Sequence, residues 1–398
     1  MPIPVFALML GVFCVGTAEV AISGLLPNVA ADLAVSVPSA GLLVTGYALG
    51  VTVIGPAVTL LTTKVPRKAL VLVLMAVFTA GNAAAVVAPD YGVLMAARVF
   101  TAMSHGTFVA VAFSLAAAIS APDKQGSAMA KIALGFNLAN ALGSPLGTFV
   151  GQRFGWRFTF VAIALVAGLT IVLIALFMRP PAQQQAATGR ERLRQEVAAL
   201  RSPVLAVAVV VTVLAQGAVF TTSTYLVPIL QEVSGFAPAS ISVLLVVFGV
   251  GSVVGNFAGG RLADGDVGRA VLAVLAVLTA VCLVFWLCGP VPALAVAALF
   301  LFGASGFSII PSLQAHIQRI AIAAPTLALS VNVSAFNLGN GFGAWLGGQV
   351  LDLGWGTGAV PLTSAVVCGL ALLLAATSHW WRNRSSSGGD RVAVESAV

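Results

Sequence analysis

The sequence predicts an all-α membrane protein of twelve transmembrane helices arranged as two pseudo-symmetric six-helix bundles. Composition is the first reason: 60% of the 398 residues are hydrophobic and only 8% are charged, with a mean hydropathy of +1.06, whereas an ordinary soluble domain carries about 25% charged residues. Most of this chain therefore takes the bilayer as its solvent. The second reason is the recurrence of mainly apolar stretches of roughly 20 residues, the length a spanning helix needs. The third is an internal repeat. The segment from Phe136 to Gly147 returns from Phe336 to Gly347, an offset of 200 residues, with Phe, Asn, Leu, Asn, Gly, Leu and Gly in register. The same offset superposes Pro38 on Pro238, Gly55 on Gly255 and Gly106 on Gly306. A repeat spanning half of so apolar a chain indicates two homologous membrane bundles in tandem.

The first bundle, 1–178, opens with span one at about 4–26. No basic segment precedes it and its apolar run exceeds that of a secretory signal, so a retained helix is expected. It holds Gly16, Thr17, Ala18 and Glu19, then Gly24 to Pro27. Span two, at about 38–61, runs through Gly55 and Pro56 into a loop with Lys64, Arg67 and Lys68. Spans three and four follow at about 69–89 and 92–117; span four carries Arg98 and His105. Span five, at about 127–150, holds Gly135, Gly143, Pro145 and Gly147. Proline removes a backbone donor and bends a helix, while glycines allow close helix contact. Span six, at about 157–178, closes the bundle.

A polar central loop at 179–202, rich in Gln, Ala, Arg and Glu, joins the halves; its 190–201 part reads either as a short surface helix or as a solvated linker. The second bundle, 203–381, places span seven at about 203–231, with Gln216 and the run Thr221, Thr222, Ser223, Thr224 and Tyr225. Span eight, at about 238–262, contains Gly249, Gly251 and Gly255, spaced for helix packing rather than for a dinucleotide loop, since no strand precedes them. Spans nine and ten, at about 269–289 and 291–314, add Ser305 and Ser308. Span eleven, at about 325–350, repeats span five with Trp345 in place of Pro145. Span twelve, at about 357–380, is followed by a low-complexity tail, 382–398, for which disorder and a cytoplasmic location are expected.

The net charge of +7 is a matter of distribution. Lys64, Arg67, Lys68, Lys124, Arg179, Arg190, Arg192, Arg194, Arg201, Arg261, Arg269, Arg319, Arg382, Arg384 and Arg391 fall in alternate loops and the tail, while the other loops hold Asp32, Asp90, Glu232 and Asp352 with only Arg153 and Arg157. This asymmetry is the positive-inside pattern. It predicts a multi-pass protein of the plasma (cytoplasmic) membrane with both termini and the central loop in the cytoplasm. Anionic lipid headgroups, not nucleic acid, are the partners this basic excess implies. Cys14, Cys282, Cys288 and Cys368 all fall within spans and lack CxxC or Cys/His spacing, so free thiols and no metal site are expected.

The loop Gly55-Pro56-Ala57-Val58-Thr59-Leu60-Leu61-Thr62-Thr63-Lys64-Val65-Pro66-Arg67-Lys68 resembles the loop signature of the major facilitator superfamily. Thr63 stands where that family usually has Asp, and Pro66 where it has Gly. The second half carries a fuller version in Gly255, Gly259, Gly260, Arg261, Asp264, Gly268 and Arg269. Arg98, Ala102, His105 and Gly106 resemble the family's intramembrane arginine motif, and Gly135, Gly143, Ser144, Pro145, Leu146 and Gly147 its antiporter motif. Together with Gly16 to Glu19 and Gly24 to Pro27, these make the chain similar to the twelve-span drug:proton antiporters, particularly bacterial chloramphenicol or arabinose efflux proteins. The resemblance implies the major facilitator fold, with Arg67, Gly143, Pro145, Gly147, Asp264 and Arg269 in gating or structural roles. A carboxylate facing guanidinium groups and a helix dipole forms a latch, here mainly through Asp264.

Glu19 is the carboxylate placed deep within a span, and an ionisable group there is by default a functional candidate. In the family's fold spans one and four both line the central cavity, so Glu19 and Arg98 are expected to pair. Two readings stand: Glu19 carries the transported proton, with its affinity set by desolvation and by Arg98, or the pair statically joins two helices. His105, about 10 Å deeper than Arg98 along span four, either takes part in the proton path or is hydrogen-bonded between helices. Spans seven and ten would supply a substrate cavity of neutral polar groups, Gln216, Thr221, Thr222, Ser223, Thr224 and Tyr225 in span seven with Ser305 and Ser308 in span ten. A doubly charged phosphate ester would need more than one arginine to offset its desolvation, so a neutral or weakly charged molecule is expected.

The function expected is proton-coupled efflux of such a molecule, an amphenicol-like drug, by a monomer that uses the proton gradient and no cofactor. Sugar or nucleoside efflux is the alternative. No P-loop, nucleophile elbow or HExxH occurs, which argues against an ATP-driven pump and against an enzyme. A non-transporting sensor would be expected to carry a large soluble domain.

Overall fold

The computed structural model describes residues 2–62, 64–121, 124–179, 202–321 and 325–395. These residues form twelve helical spans, α1–α12. Helix α1 is Ile3–Asp32, and α2, α3 and α4 are Val37–Leu61, Arg67–Val86 and Tyr91–Ala118. The first half ends with α5, residues 125–154, and α6, Trp156–Phe177. The second half comprises α7, residues 203–233, then α8 at Pro238–Ala263 and α9 at Val267–Cys288, followed by α10 at Pro292–Ile320, α11 at Pro325–Asp352 and α12 from Val360 to Glu395. Ten of these spans are long and apolar enough by themselves to cross a membrane. The other two are α5, interrupted at mid-length, and its repeat partner α11. The expected halves thus appear as two sets of six helices. The interior of the central loop, 180–201, lies outside the described residues. The backbone of α12 continues as helix through 382–395, where the sequence reading expects disorder.

Local chemistry sets several helix starts. The Ser36 side chain accepts from the Ser39 N–H at 3.2 Å before α2, Asp90 accepts from Val93 N–H at 2.9 Å before α4, and Asp266 from Arg269 N–H at 3.1 Å before α9. Each satisfies a donor that the first helical turn leaves open. The tight α5–α6 corner turns on Gly155 at φ +99°, a conformation that side chains with a Cβ avoid.

Three spans are broken. Helix α1 winds into a 3-10 turn at Ala21–Leu25, beginning two residues after Glu19, and resumes at Leu26 with Pro27 in its first turn. Helix α5 passes through a π turn at Ala139–Gly143 immediately before Pro145. Pro145 has no N–H to give the Ala141 carbonyl and its ring crowds that oxygen; the wider π turn absorbs the misfit. Helix α7 ends in a second π turn, Ile229–Val233.

Small residues let the helices approach. On α8, Gly251, Gly255 and Gly259 face the α10 backbone at Phe300, Ala304 and Ser308, and a Cβ at any of them would strike it. On α11, Gly339 and Gly343 do the same against Val213 and Gly217 of α7. A cluster of buried apolar side chains joins the halves, running from Ile22, Leu25 and Leu26 in α1 through Leu43 in α2 to Leu226, Leu230 and Leu245. Cys14, Cys282, Cys288 and Cys368 are free thiols, as expected.

Candidate functional site

Glu19 lies at the junction of the two halves. Its side chain is 13% exposed. Its Oε1 accepts a hydrogen bond of 2.7 Å from Nδ2 of Asn340 in α11, so the carboxylate is held by the opposite half. Its Oε2 faces His105 Nε2 of α4 at 4.0 Å. On the far side of the imidazole, Nδ1 shares a hydrogen bond of 3.1 Å with the Tyr47 hydroxyl of α2, and the ring is stacked on Phe136 of α5 with centroids 6.1 Å apart. The first half thus surrounds Glu19 with α2, α4 and α5, and the second half reaches it through α11.

Arg98 takes a different part from the one expected. Its guanidinium is fully buried, its Nη1 donates to the Ala18 carbonyl at 2.6 Å, and its plane lies 4.2 Å from the Tyr47 ring centroid. The geometry brings Arg98 and Glu19 into one cluster, yet the contact runs through the backbone just before Glu19 and not through a direct ion pair. Arginine suits this because a planar guanidinium can stack on an aromatic face while its edge donates. Its Nε and Nη2 have no hydrogen-bond partner.

Tyr47 and Asn340 were not singled out by sequence reasoning. Asn340 did leave a signal, as one of the residues in register in the repeat: its partner Asn140 lies in the π turn of α5 and donates to the Phe136 carbonyl at 3.0 Å. The two halves therefore place the same amide in different work.

A narrow cleft lies between the halves, and Val20, the residue after Glu19, forms part of its wall. One part of its wall is polar, with Ser23, Asn140, Ser144 and Ser223; another is aromatic, with Phe220, Phe248 and Phe307. Of the cavity residues expected from sequence, Ser223 is in this wall, while Gln216, Thr221, Thr222, Tyr225, Ser305 and Ser308 are placed otherwise. Thr221 donates to the Gly217 carbonyl of its own helix at 2.8 Å, Thr222 shares a 2.7 Å hydrogen bond with Ser364 of α12, and Tyr225 donates to the Ala344 carbonyl of α11 at 3.0 Å. Ser305 and Ser308 bond back to Leu301 and Ser305 within α10. Gln216 is buried with its Oε1 unpartnered. A helical hydroxyl can always satisfy itself on a carbonyl one turn back, so a polar residue on the right span need not face the cavity.

The residues expected in gating or structural roles divide similarly. Gly143 faces Thr17 and Gly147 faces Thr159 and Ala21, which places the glycines of α5 against α1 and α6. Arg67 donates to the Ser114 hydroxyl, tying α3 to α4. The acidic partner of Arg269 is Asp266, with Nε to Oδ2 at 3.3 Å, instead of the expected Asp264. Asp266 is exposed, and the hydrogen bond from the Arg269 backbone holds its carboxyl below the usual range. Arg319 of α10 completes this end by donating to the Gly265 carbonyl at 3.0 Å.

Twelve spans in two pseudo-symmetric halves, with an ionisable cluster and a cavity where the halves meet, define a membrane transporter. The chain belongs to the Major Facilitator Superfamily, whose sequence profile matches residues 8–326. It is 40% identical over 372 residues to the inner membrane transport protein YdhP of Escherichia coli K12, covering 93% of this chain and 94% of that one. It is 35% identical to a chloramphenicol resistance protein of Streptomyces lividans, over 94% of this chain and 96% of the relative. Among solved structures, a D-xylose-proton symporter superposes with a TM-score of 0.76 over 93% of this chain and 96% of the other; at 15% identity this likeness shows the fold alone.

Proposed function

We propose that this chain exports a small neutral or weakly charged organic molecule in exchange for protons, by alternating access of its two halves and as a monomer. The observation that carries the reading is Glu19: a carboxyl group within the membrane, flanked by a histidine of one half and bonded to an amide of the other. An ionisable group at that depth costs roughly 2.5–3.5 kcal/mol on insertion scales. A residue that only joined helices could be neutral. The proton's electrical share alone supplies roughly 2.3 kcal/mol per 100 mV, or about a 50-fold gradient of a neutral substrate. The positive-inside asymmetry supports placing the basic loops in the cytoplasm of a bacterial plasma membrane.

The cavity supports the substrate class. Serine hydroxyls and an amide beside three phenylalanines suit a molecule with several hydroxyl or amide groups and an apolar or aromatic part, and no cavity arginine is present to offset a phosphate. An amphenicol fits this best, and the similarity to a chloramphenicol resistance protein favours it. The same hydroxyls would serve a sugar or nucleoside. The test is efflux of radiolabelled chloramphenicol, arabinose, a nucleoside and a sugar phosphate from cells lacking their own pumps. Chloramphenicol is expected to leave uphill, and a protonophore is expected to abolish its export. Glu19→Gln is expected to abolish uphill export while leaving a folded protein. Wild-type uphill export by that variant would remove Glu19 from the coupling, and selective export of the sugar phosphate would overturn the substrate class.

A further inference from the structure

The hydrogen bond from Asn340 to Glu19 joins two groups 321 positions apart and crosses from the second half to the first. Only one atom of the amide is used. Asn340 Oδ1 is buried without a hydrogen-bond partner, and a buried acceptor left unsatisfied is costly. A carboxylate has acceptors alone and can take just the amide N–H, whereas a carboxylic acid also has a hydroxyl to give. A neutral acid and an amide therefore make two hydrogen bonds where an ionised acid and an amide make one.

We infer that Asn340 is the positioning residue through which the second half responds to the proton on Glu19: protonation supplies the missing donor to Asn340 Oδ1 and draws α1 and α11 together. This rests on the proton-antiport reading above. The arriving proton goes to Oε2; Oε1 keeps the Asn340 N–H, and the new hydroxyl donates to Oδ1. The groups around Glu19 leave that route open. From α2 the facing ionisable group is Tyr47, and from α4 they are Arg98 and His105; α5 presents Phe136, and α11 presents Asn340. Arg98 has donors alone and cannot accept a hydrogen bond from a protonated Glu19. When the Tyr47 hydroxyl donates to His105 Nδ1, the other ring nitrogen bears the proton and cannot accept from Glu19, which leaves Asn340 Oδ1 as the acceptor.

The arrangement so strengthened is the one seen here, in which the halves meet through Thr45 and the Gly341 carbonyl at 3.0 Å and through Tyr225 seated at Gly41. Loss of the proton takes one of the two bonds away and loosens that contact. The repeat-related Asn140 lines the cavity instead, so the first half can present its amide to substrate and the second half its amide to the proton.

The experiment follows the separation of spin labels at Leu61→Cys in α2 and Leu262→Cys in α8, with the four native cysteines replaced, in the full chain in nanodiscs. Between pH 8.5 and 5.5 the ratio of molecules with the separation of this structure to those without it is expected to rise about three- to tenfold, the size of one net hydrogen bond. Glu19→Gln, whose amide can both give and take, should hold the low-pH distribution at both values. Asn340→Leu and the smaller Asn340→Ser should each flatten the response, and Asn340→Gln should keep part of it. A wild-type response in folded Asn340→Leu or Asn340→Ser, or a flat response in the unsubstituted chain, overturns the role of Asn340. The antiport reading fails separately, if Glu19→Gln still exports uphill.

Discussion

At the scale of single residues, Arg98 has the more demanding position of the two charges. Its guanidinium stacks on Tyr47 and holds the Ala18 carbonyl, so it fixes the last α-helical turn of α1 at the residue before the carboxylate, just ahead of the 3-10 turn at Ala21–Leu25. Lysine has a compact ammonium on a flexible stem and cannot stack and donate in the same plane. Arg98→Ala is therefore expected to abolish most transport and Arg98→Lys to restore only a small part. Tyr47→Phe, which keeps the ring, should be milder than Tyr47→Ala. A double-mutant cycle between Arg98→Ala and Tyr47→Ala, read in thermal or denaturant unfolding, should give a coupling of about 0.5–2 kcal/mol, the range of a desolvated cation–π contact; additive losses would show that the stack contributes nothing. Glu19, Arg98 and His105 were legible in the sequence because such residues are so rare in these spans. Tyr47 and Asn340 were not, since neutral polar residues are common in membrane helices, and since the Glu19–Asn340 bond depends on how two distant helices pack.

At the scale of elements, the order of the spans followed from hydropathy, and their breaks did not. Hydropathy reports how long a segment stays apolar; it is blind to the 3-10 turn after Glu19 and to the π turn before Pro145, which answer to packing and to a missing N–H. The glycines of α5 show how tight that packing is. A Cβ on Gly143 would meet the Thr17 side chain, whereas one on Gly147 would sit 3.1 Å from Thr159 Cγ2 and 3.2 Å from Ala21 Cβ. The first demands that α1 move beside Glu19; the second asks a few tenths of an ångström of its neighbours. Gly168 in α6 has no atom within 4 Å of such a Cβ, and there alanine should stabilise the helix by about 0.5–1 kcal/mol through its better helix propensity. The expected order of thermal stability in detergent is Gly168→Ala above the unsubstituted protein, Gly147→Ala slightly below it and Gly143→Ala well below, by about 1–3 kcal/mol for overpacking. Equal effects at Gly143 and Gly168 would remove α5–α1 packing as the reason for the glycine.

At the scale of the whole molecule, the repeat foretold two bundles but not which ends of them touch. The cross-half contacts lie at mid-depth and toward the face that carries Asp32, Asp90, Glu232 and Asp352. There Tyr225 fills the space beside Gly41, Pro38 lies against Gly348, Leu245 against Gly24, and Ser242 reaches Gln152 at 3.5 Å. The molecule is thus closed at its acidic face, and Gly41 is a vulnerable point of that closure, because a methyl group there would occupy the position of the Tyr225 hydroxyl, which is tied to the Ala344 carbonyl. Gly41→Ala should shift the population toward molecules open at this face. With the acidic face outside, a membrane-impermeant maleimide applied to intact cells should label Asp90→Cys and Asp352→Cys at once. It should label Ser223→Cys, in the cavity wall, slowly in the parent background and at least about threefold faster when Gly41→Ala is added, the change expected if the methyl costs the closed state roughly 0.7 kcal/mol. Silence at Asp90→Cys and Asp352→Cys would reverse the orientation. Unchanged labelling of Ser223→Cys would mean that the closure does not depend on the seat of Tyr225, and that the mid-depth contacts around Glu19 and Asn340 hold the halves together without it.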